Sequence, residues 1–220
     1  ETINASLDPK RAPLTQKPVY KRMDRIALDI VGPVEKSDNG NCRILVVCDY
    51  VSKYTEAYPI PDCTAQTVAD VLCTEWICRF GCPIVIHSDQ GKSFESDLFK
   101  QMCQLWDIHK TRTSRGRPNS DGLVERQNRT IKKLLKAFVS ENPKSWEDHL
   151  PYVMMAYRAT THSSTNASPN LLTFGEENRL PVDLLYAECT LEQEVPICPQ
   201  VYIEWLRAST KQAFHETHEM

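Results

Sequence analysis

Apolar and polar positions divide this chain into short runs of two periodicities. Residues 25–31 (Arg-Ile-Ala-Leu-Asp-Ile-Val) form a nearly continuous apolar run, which predicts a buried strand broken by Gly32-Pro33. Ser37-Asp38-Asn39-Gly40 is a hairpin turn signal, so residues 43–50 are expected to return antiparallel beside that strand. Residues 54–60 predict a third strand, and Pro59 and Pro61 suit a sheet edge, where a missing amide hydrogen costs no ladder bond. Then the period changes. Val68, Val71, Leu72, Ile77 and Phe80 recur at helical spacing, with Thr64 as cap and Gly81 and Pro83 as the stop. Residues 83–88 are another short apolar run, followed by a turn at Gly91, a helix over 95–106 and a fifth strand at 108–111. A Gly/Pro loop over 113–120 leads into a helix over 121–136. Residues 146–160 predict a further helix, and Ser168-Pro169 opens a short one ending at Phe174. This order of elements predicts an α/β protein, a mixed five-stranded sheet covered by helices on both sides.

The helix over 121–136 carries two unlike faces. Leu123, Gln127, Ile131, Leu134 and Phe138 make a stripe suited to a core, while Glu125, Arg129, Lys132 and Lys136 stack opposite, with Asn128 one turn from the glutamate. A lone acid among cations ordinarily makes a solvated salt bridge. Two aspartates upstream change that reading. Asp29 sits inside the first apolar run, Asp89 ends the 83–88 run, and thirty-five residues lie between Asp89 and Glu125. Mg²⁺ is a hard ion that prefers oxygen ligands, and rigid strand carboxylates plus one from a packed helix can hold two such ions for displacement at phosphorus. Asp49, at the end of the second strand, is the competing candidate, and it reads as a strand-end or turn carboxylate.

At 220 residues the chain is long enough for one well-formed core, and its 41% apolar and 25% charged residues are ordinary globular values. The net charge of −3 hides an uneven distribution. Between residues 107 and 136 nine Lys/Arg face only Asp107, Asp121 and Glu125, a local basic patch of the kind that meets a polyanion. Nine cysteines without a Cys-x-x-Cys pair fit neither a disulfide scaffold nor classical zinc-finger spacing. Cys48, Cys73 and Cys78 lie in apolar segments and read as buried free thiols in a reduced, intracellular protein. No apolar run is long enough to span a bilayer, and no membrane partner is expected. The first residue is Glu, which suggests a piece of something longer. Residues 1–22, with Pro9, Pro13, Pro18 and five Lys/Arg, have a linker composition.

These residues carry a resemblance. Leu-Asp-Ile-Val-Gly-Pro around Asp29, His-Ser-Asp-Gln-Gly around Asp89 and Ser-Asp-Gly-Leu-Val-Glu-Arg-Gln-Asn-Arg around Glu125 resemble the D,D-35-E signature of retroviral integrases. Flanking stretches at 44–61, 75–80, 146–158 and 174–184 are most similar to integrases of gypsy-type LTR retrotransposons. The resemblance covers about residues 25–185. It implies a ribonuclease H-like catalytic core using two Mg²⁺ (or Mn²⁺) ions, held by Asp29, Asp89 and Glu125, for 3′-end processing of element DNA and its strand transfer into target DNA. It implies DNA contacts on the Glu125 helix at Asn128, Arg129, Lys132 and Lys136, and in the preceding loop at Arg115, Arg117, Asn119 and Ser120. That loop reads Gly116-Arg117-Pro118, where gypsy-type elements often have Tyr-His-Pro. Residues 1–22 resemble the linker after an N-terminal zinc domain, 23–186 the catalytic core, and 187–220 a C-terminal extension with a helix. A homo-oligomer is expected, paired through the helices over 64–80 (Cys73, Trp76) and 146–160 (Tyr152, Met155, Tyr157). The expected site of action is the nucleus, after cytoplasmic assembly in a particle. The alternative is a domesticated, non-catalytic nucleic-acid-binding protein that keeps the fold.

Overall fold

Two hairpin-linked ladders and one long return through helices set the sheet. The computed structural model describes residues 20–113, 129–130 and 143–180. Strands β1 (Arg25–Val31), β2 (Arg43–Asp49), β3 (Thr55–Ile60), β4 (Val85–Ser88) and β5 (His109–Arg112) pair in the order β3-β2-β1-β4-β5. The first three strands are antiparallel neighbours, whereas β4 joins β1 in parallel and β5 joins β4 in parallel. This is the mixed five-stranded sheet expected, with β3 and its Pro59 on an edge. The Ser37–Gly40 turn closes as the sequence predicts, Gly40 donating to the Ser37 carbonyl at 2.9 Å with φ of 89°, a conformation that suits glycine.

Alternation along β2 divides the core between the two faces of the sheet. Leu45 and Val47 face a cluster with Val68, Leu72, Trp76 and Phe99 from the helices α1 (Ala65–Val71) and α3 (Asp97–Leu105) and the turn that joins α1 to α2 (Cys78–Phe80). Ile44 and Val46 face Trp146, Leu150, Val153, Met154 and Tyr157 of α4 (Trp146–Ala159). Each such fully buried side chain contributes roughly 1.5–3 kcal/mol relative to exposure. Helix α1 starts where predicted, the Thr64 hydroxyl accepting from the Thr67 amide at 3.2 Å, and Gly81 ends the run with φ of 86°. The short helix α5 (Pro169–Phe174) is capped by Ser168 and closed by Gly175 in the left-handed region.

Between α1 and α2 the chain takes a π-helical form, Leu72–Ile77. The expected pairing surface is corrected in part, since Trp76 and Tyr157 are buried while Tyr152 is 61% exposed and Cys73 and Met155 are half-buried. Val68, Leu72 and Trp76 recur every four residues and so share one face of the helical run. Trp76 is therefore carried onto the sheet, wholly buried, with its ring 4.6 Å from that of Phe80. Tyr157 is likewise buried under the opposite face, so neither residue offers a surface to a partner. The thiols are also corrected in part: Cys48 is buried, Cys73 is half-buried and Cys78 is exposed.

Helix α4 is latched to the β1–β2 hairpin. The Trp146 indole donates to the Glu35 carbonyl at 2.8 Å, and the Glu147 carboxylate accepts from Ser37 Oγ at 2.6 Å, Asn41 Nδ2 at 3.0 Å and Asn39 Nδ2 at 3.1 Å. Burial alone would raise the Glu147 carboxyl, but these donors outweigh it and the net direction is downward. A depressed carboxyl stabilises the fold above its unfolded pKa, and that contribution is lost as pH falls through the folded one. Replacing Glu147 with Gln should therefore destabilise by about 1 kcal/mol near pH 7, discounted for solvent screening. The deficit should shrink in denaturant titrations carried into the acid range; an undiminished deficit there would contradict the assignment.

Candidate active site

The parallel pairing of β1 with β4 is what assembles the site. Its register sets Ala27 opposite His87 and Leu28 opposite Ser88, so the next positions along the two strands are Asp29 and Asp89. Adjacent strands lie about 4.8 Å apart and side chains alternate, which places both aspartates on one face of the sheet at neighbouring strand ends. Asp29 is half-buried, and its Oδ1 accepts from the Ile30 amide at 2.7 Å. Asp89 is exposed just past β4, and its Oδ1 accepts from the Gly91 amide at 2.9 Å. Both line one cleft of about 610 Å³, together with Arg43, Asp62, Thr64 and Lys92.

The loop after Asp89 is tied down from three sides. The Gln90 amide donates to the Thr113 carbonyl at 2.8 Å, the Ser93 hydroxyl donates to the Cys63 carbonyl, and Phe94 is buried against Phe99 with ring centroids 5.8 Å apart. Gly91 sits close against the aspartate, since a Cβ there would lie 2.9 Å from Asp89 Oδ1. Gly91→Ala should consequently cost little stability, because the aspartate can turn away. Turning away also misplaces its carboxylate, so divalent-metal affinity should fall about tenfold. Unaltered Mn²⁺ affinity in folded Gly91→Ala protein would show that the Asp89 rotamer does not matter.

Two other acids near these strands are already engaged. Asp62 Oδ1 accepts from the Thr64 amide and the Thr67 hydroxyl, each at 2.8 Å, and these bonds lower its pKa. Asp49 is fully buried and accepts from Ser52 N and Oγ, both at 2.7 Å, and from Met23 N at 3.0 Å. Burial pushes its carboxyl above the usual range, and the hydrogen bonds partly offset this. Asp49 is the turn carboxylate its sequence position suggested.

Of the residues singled out from sequence, the fold brings Asp29 and Asp89 together. Arg129 is exposed on helical backbone. Glu125, Arg115, Arg117, Asn119, Ser120, Asn128, Lys132 and Lys136 lie outside the described residues. Among the described residues no group of three His, Cys, Asp or Glu side chains is placed to hold a metal ion. Two carboxylates sharing a cleft nevertheless suit a hard divalent cation that keeps open positions for water and phosphate oxygen.

The basic patch divides on inspection. Lys110 and Arg112 turn toward Glu95, with separations of 3.7 and 3.3 Å, and Lys100 joins them at 3.8 Å. Sequence reasoning counted Lys110 as one more patch cation. Strand alternation does not set it apart, since Arg112 lies two residues on along β5 on the same face and is exposed.

Residues 20–118 match the family of the integrase core domain. Over those residues the chain is similar to an integrase core domain. A Pol polyprotein from transposon 412 of Drosophila melanogaster is 28% identical over 169 residues, which are 76% of this chain and 14% of that protein. The Pro-Pol polyprotein of feline foamy virus is 32% identical over 200 residues, 86% of this chain and 17% of that protein. The chain thus spans under a fifth of the length of these relatives. Among solved structures, a simian T-cell lymphotropic virus intasome is similar with a TM-score of 0.60 and 26% identity, covering 78% of this chain and 63% of the other. The HTLV-2 integrase catalytic core in complex with magnesium shares the fold with a TM-score of 0.54 at 19% identity, over 67% and 93%. The fold is that of the ribonuclease H-like integrase cores.

Proposed function

We propose that this integrase core is the catalytic part of a gypsy-type retrotransposon integrase, a metal-dependent polynucleotidyl transferase. It trims element-end DNA at its 3′ ends and transfers those ends into target DNA. The observation carrying this reading is the pair Asp29 and Asp89 on neighbouring parallel strand ends, facing one cleft. Glu125 completes the triad in this reading, and the three carboxylates hold two Mg²⁺ (or Mn²⁺) ions. When bound, these ions activate an attacking oxygen and stabilise the leaving one. The chain's own part is to keep Asp29 rigid within β1, to aim Asp89 through the Gly91 amide, and to hold the phosphate backbone. The domain assignment follows, with 1–22 as a linker, 23–186 as the core and 187–220 as an extension, and the site of action is the nucleus.

A labelled duplex carrying the element end tests the proposal. Products longer than the substrate mark strand transfer, and shortened ones mark end processing. Hydrolysis without joining would indicate a nuclease, and no product would support the domesticated, non-catalytic reading.

DNA contacts are assigned to Arg115, Arg117, Asn119, Ser120, Asn128, Arg129, Lys132 and Lys136. Binding should weaken with salt, and each phosphate contact removed should flatten the slope of log K against log salt by about 0.9 on duplex DNA. Arg129→Glu and Lys132→Glu should each do this while weakening all sequences alike. An unchanged slope in both would leave that face merely solvated. The engaged Lys110, by contrast, is not offered as a phosphate contact.

The core acts as a homo-oligomer in this proposal, because joining two element ends to two target strands needs paired active sites. With Trp76 buried, the exposed apolar residues are Tyr152 (61% exposed) on α4, kept from the expected surface, and Ile84 (54%), Leu105 (81%) and Trp106 (36%) beside β4 and α3.

A further inference from the structure

Lys110 lies on β5 with only 13% of its side chain exposed. Its ammonium has three partners for three donors: Ser88 Oγ at 2.7 Å, the Thr111 carbonyl at 3.3 Å and Glu95 Oε1 at 3.7 Å. The ring of Phe94 is 6.0 Å away. Burying an amine this far is costly unless it is paired, and an exposed lysine would satisfy Glu95 equally well. What the burial adds is the contact with Ser88. The Ser88 hydroxyl in turn donates to the Asp89 carbonyl at 2.8 Å, so one chain of hydrogen bonds runs from Lys110 to the peptide that carries Asp89.

Register places this chain behind the site. Ile86 pairs with Lys110 and Ser88 with Arg112, so Lys110 belongs to the Ile86 face, whereas Asp29 and Asp89 follow Ala27 and His87 on the other. Lys110 thus lies on the face of the sheet opposite the two aspartates. Burial draws its ammonium toward neutrality, and Glu95 opposes that pull.

We propose that Lys110 is a positioning residue for the Asp89 carboxylate, acting through Ser88 and held in place by Glu95. The inference rests on Asp29 and Asp89 being metal ligands, as proposed above. It deepens that reading by naming what orients one of them. Groups behind a metal ligand typically alter affinity tenfold or more when removed.

Charge and positioning predict opposite signs. Lys110→Met deletes a cation near the site, which on charge alone would tighten a divalent ion. If Lys110 positions Asp89, affinity falls instead. Mn²⁺ is titrated into the whole chain, with free ion read by its paramagnetic resonance and folding checked by circular dichroism. Lys110→Met and Ser88→Ala should each weaken Mn²⁺ about tenfold. The double variant should be no weaker than the worse single, because both cut one chain. Lys110→Arg should rescue only partly, since a guanidinium does not fit a compact ammonium's slot. Unchanged or tighter Mn²⁺ in folded Lys110→Met or in Ser88→Ala overturns the inference while leaving the metal site standing, provided Asp89→Asn loses the ion. If Lys110→Met does not fold, Ser88→Ala decides alone. Wild-type chain binding no better than Asp89→Asn overturns both readings together.

Discussion

Asp29→Asn and Asp89→Asn should each abolish strand transfer, by about three orders of magnitude or more, while the protein remains folded. An amide keeps the volume of the carboxylate and its acceptor oxygen, so the 2.7 Å bond from Ile30 and the 2.9 Å bond from Gly91 can both survive. What is lost is the negative charge that a divalent ion requires. Several kcal/mol of transition-state stabilisation go with the ion, and every 1.4 kcal/mol is about tenfold in rate. Stability should move little or rise slightly, because removing one of two like charges on neighbouring strands relieves repulsion. Glu125→Gln should behave in the same way. Parallel rate assays and thermal melts on the three variants check this. Retained activity in any one variant removes that residue from the triad.

Trp76→Ala should be the most damaging substitution in the helical layer, costing about 3–5 kcal/mol, as large aromatic truncations in sealed cores do. Trp76 is fully buried in one cluster with Val68, Leu72 and Phe99, and its ring lies 4.6 Å from that of Phe80. At roughly 2–4 °C per kcal/mol for a domain of this size, the melting temperature should fall by about 10 °C. Leu105→Lys makes the contrasting case. Leu105 is 81% exposed, so its replacement should change stability by less than about 0.5 kcal/mol. Sedimentation over a concentration series should instead show it shifted toward monomer. A strict monomer for the parent chain at high micromolar concentration would sink the pairing proposal, and a mild effect of Trp76→Ala would reopen that helix as a surface.

Local signals in this chain were legible because they act locally. Pro59 marked an edge strand, Thr64 and Gly81 bracketed a helix, and Ser37–Gly40 turned a hairpin, each through the backbone of a few residues. Asp29 and Asp89 could be chosen because an acid in or just after an apolar run is costly without a use. Their adjacency was not legible: β1 and β4 are separated by fifty-three residues, and parallel register is settled by helix packing between them. Trp76 stands four residues after Leu72 and eight after Val68, so its spacing already put it on the core face. Cys78 ends exposed although its neighbours are apolar, because a helix buries one face of such a run and exposes the other. Lys110 looked like its basic neighbours because charge counting does not register the tertiary neighbours Ser88, Glu95 and Phe94 around its ammonium.

The most direct test of the central claim, that Asp29 and Asp89 serve one metal site, is a Mn²⁺ titration of the whole chain beside its Asp29→Asn and Asp89→Asn variants. The account predicts saturable binding in the parent and loss of that binding in both variants, all three remaining folded. Parent-like binding in either variant, with unchanged stoichiometry, would contradict it.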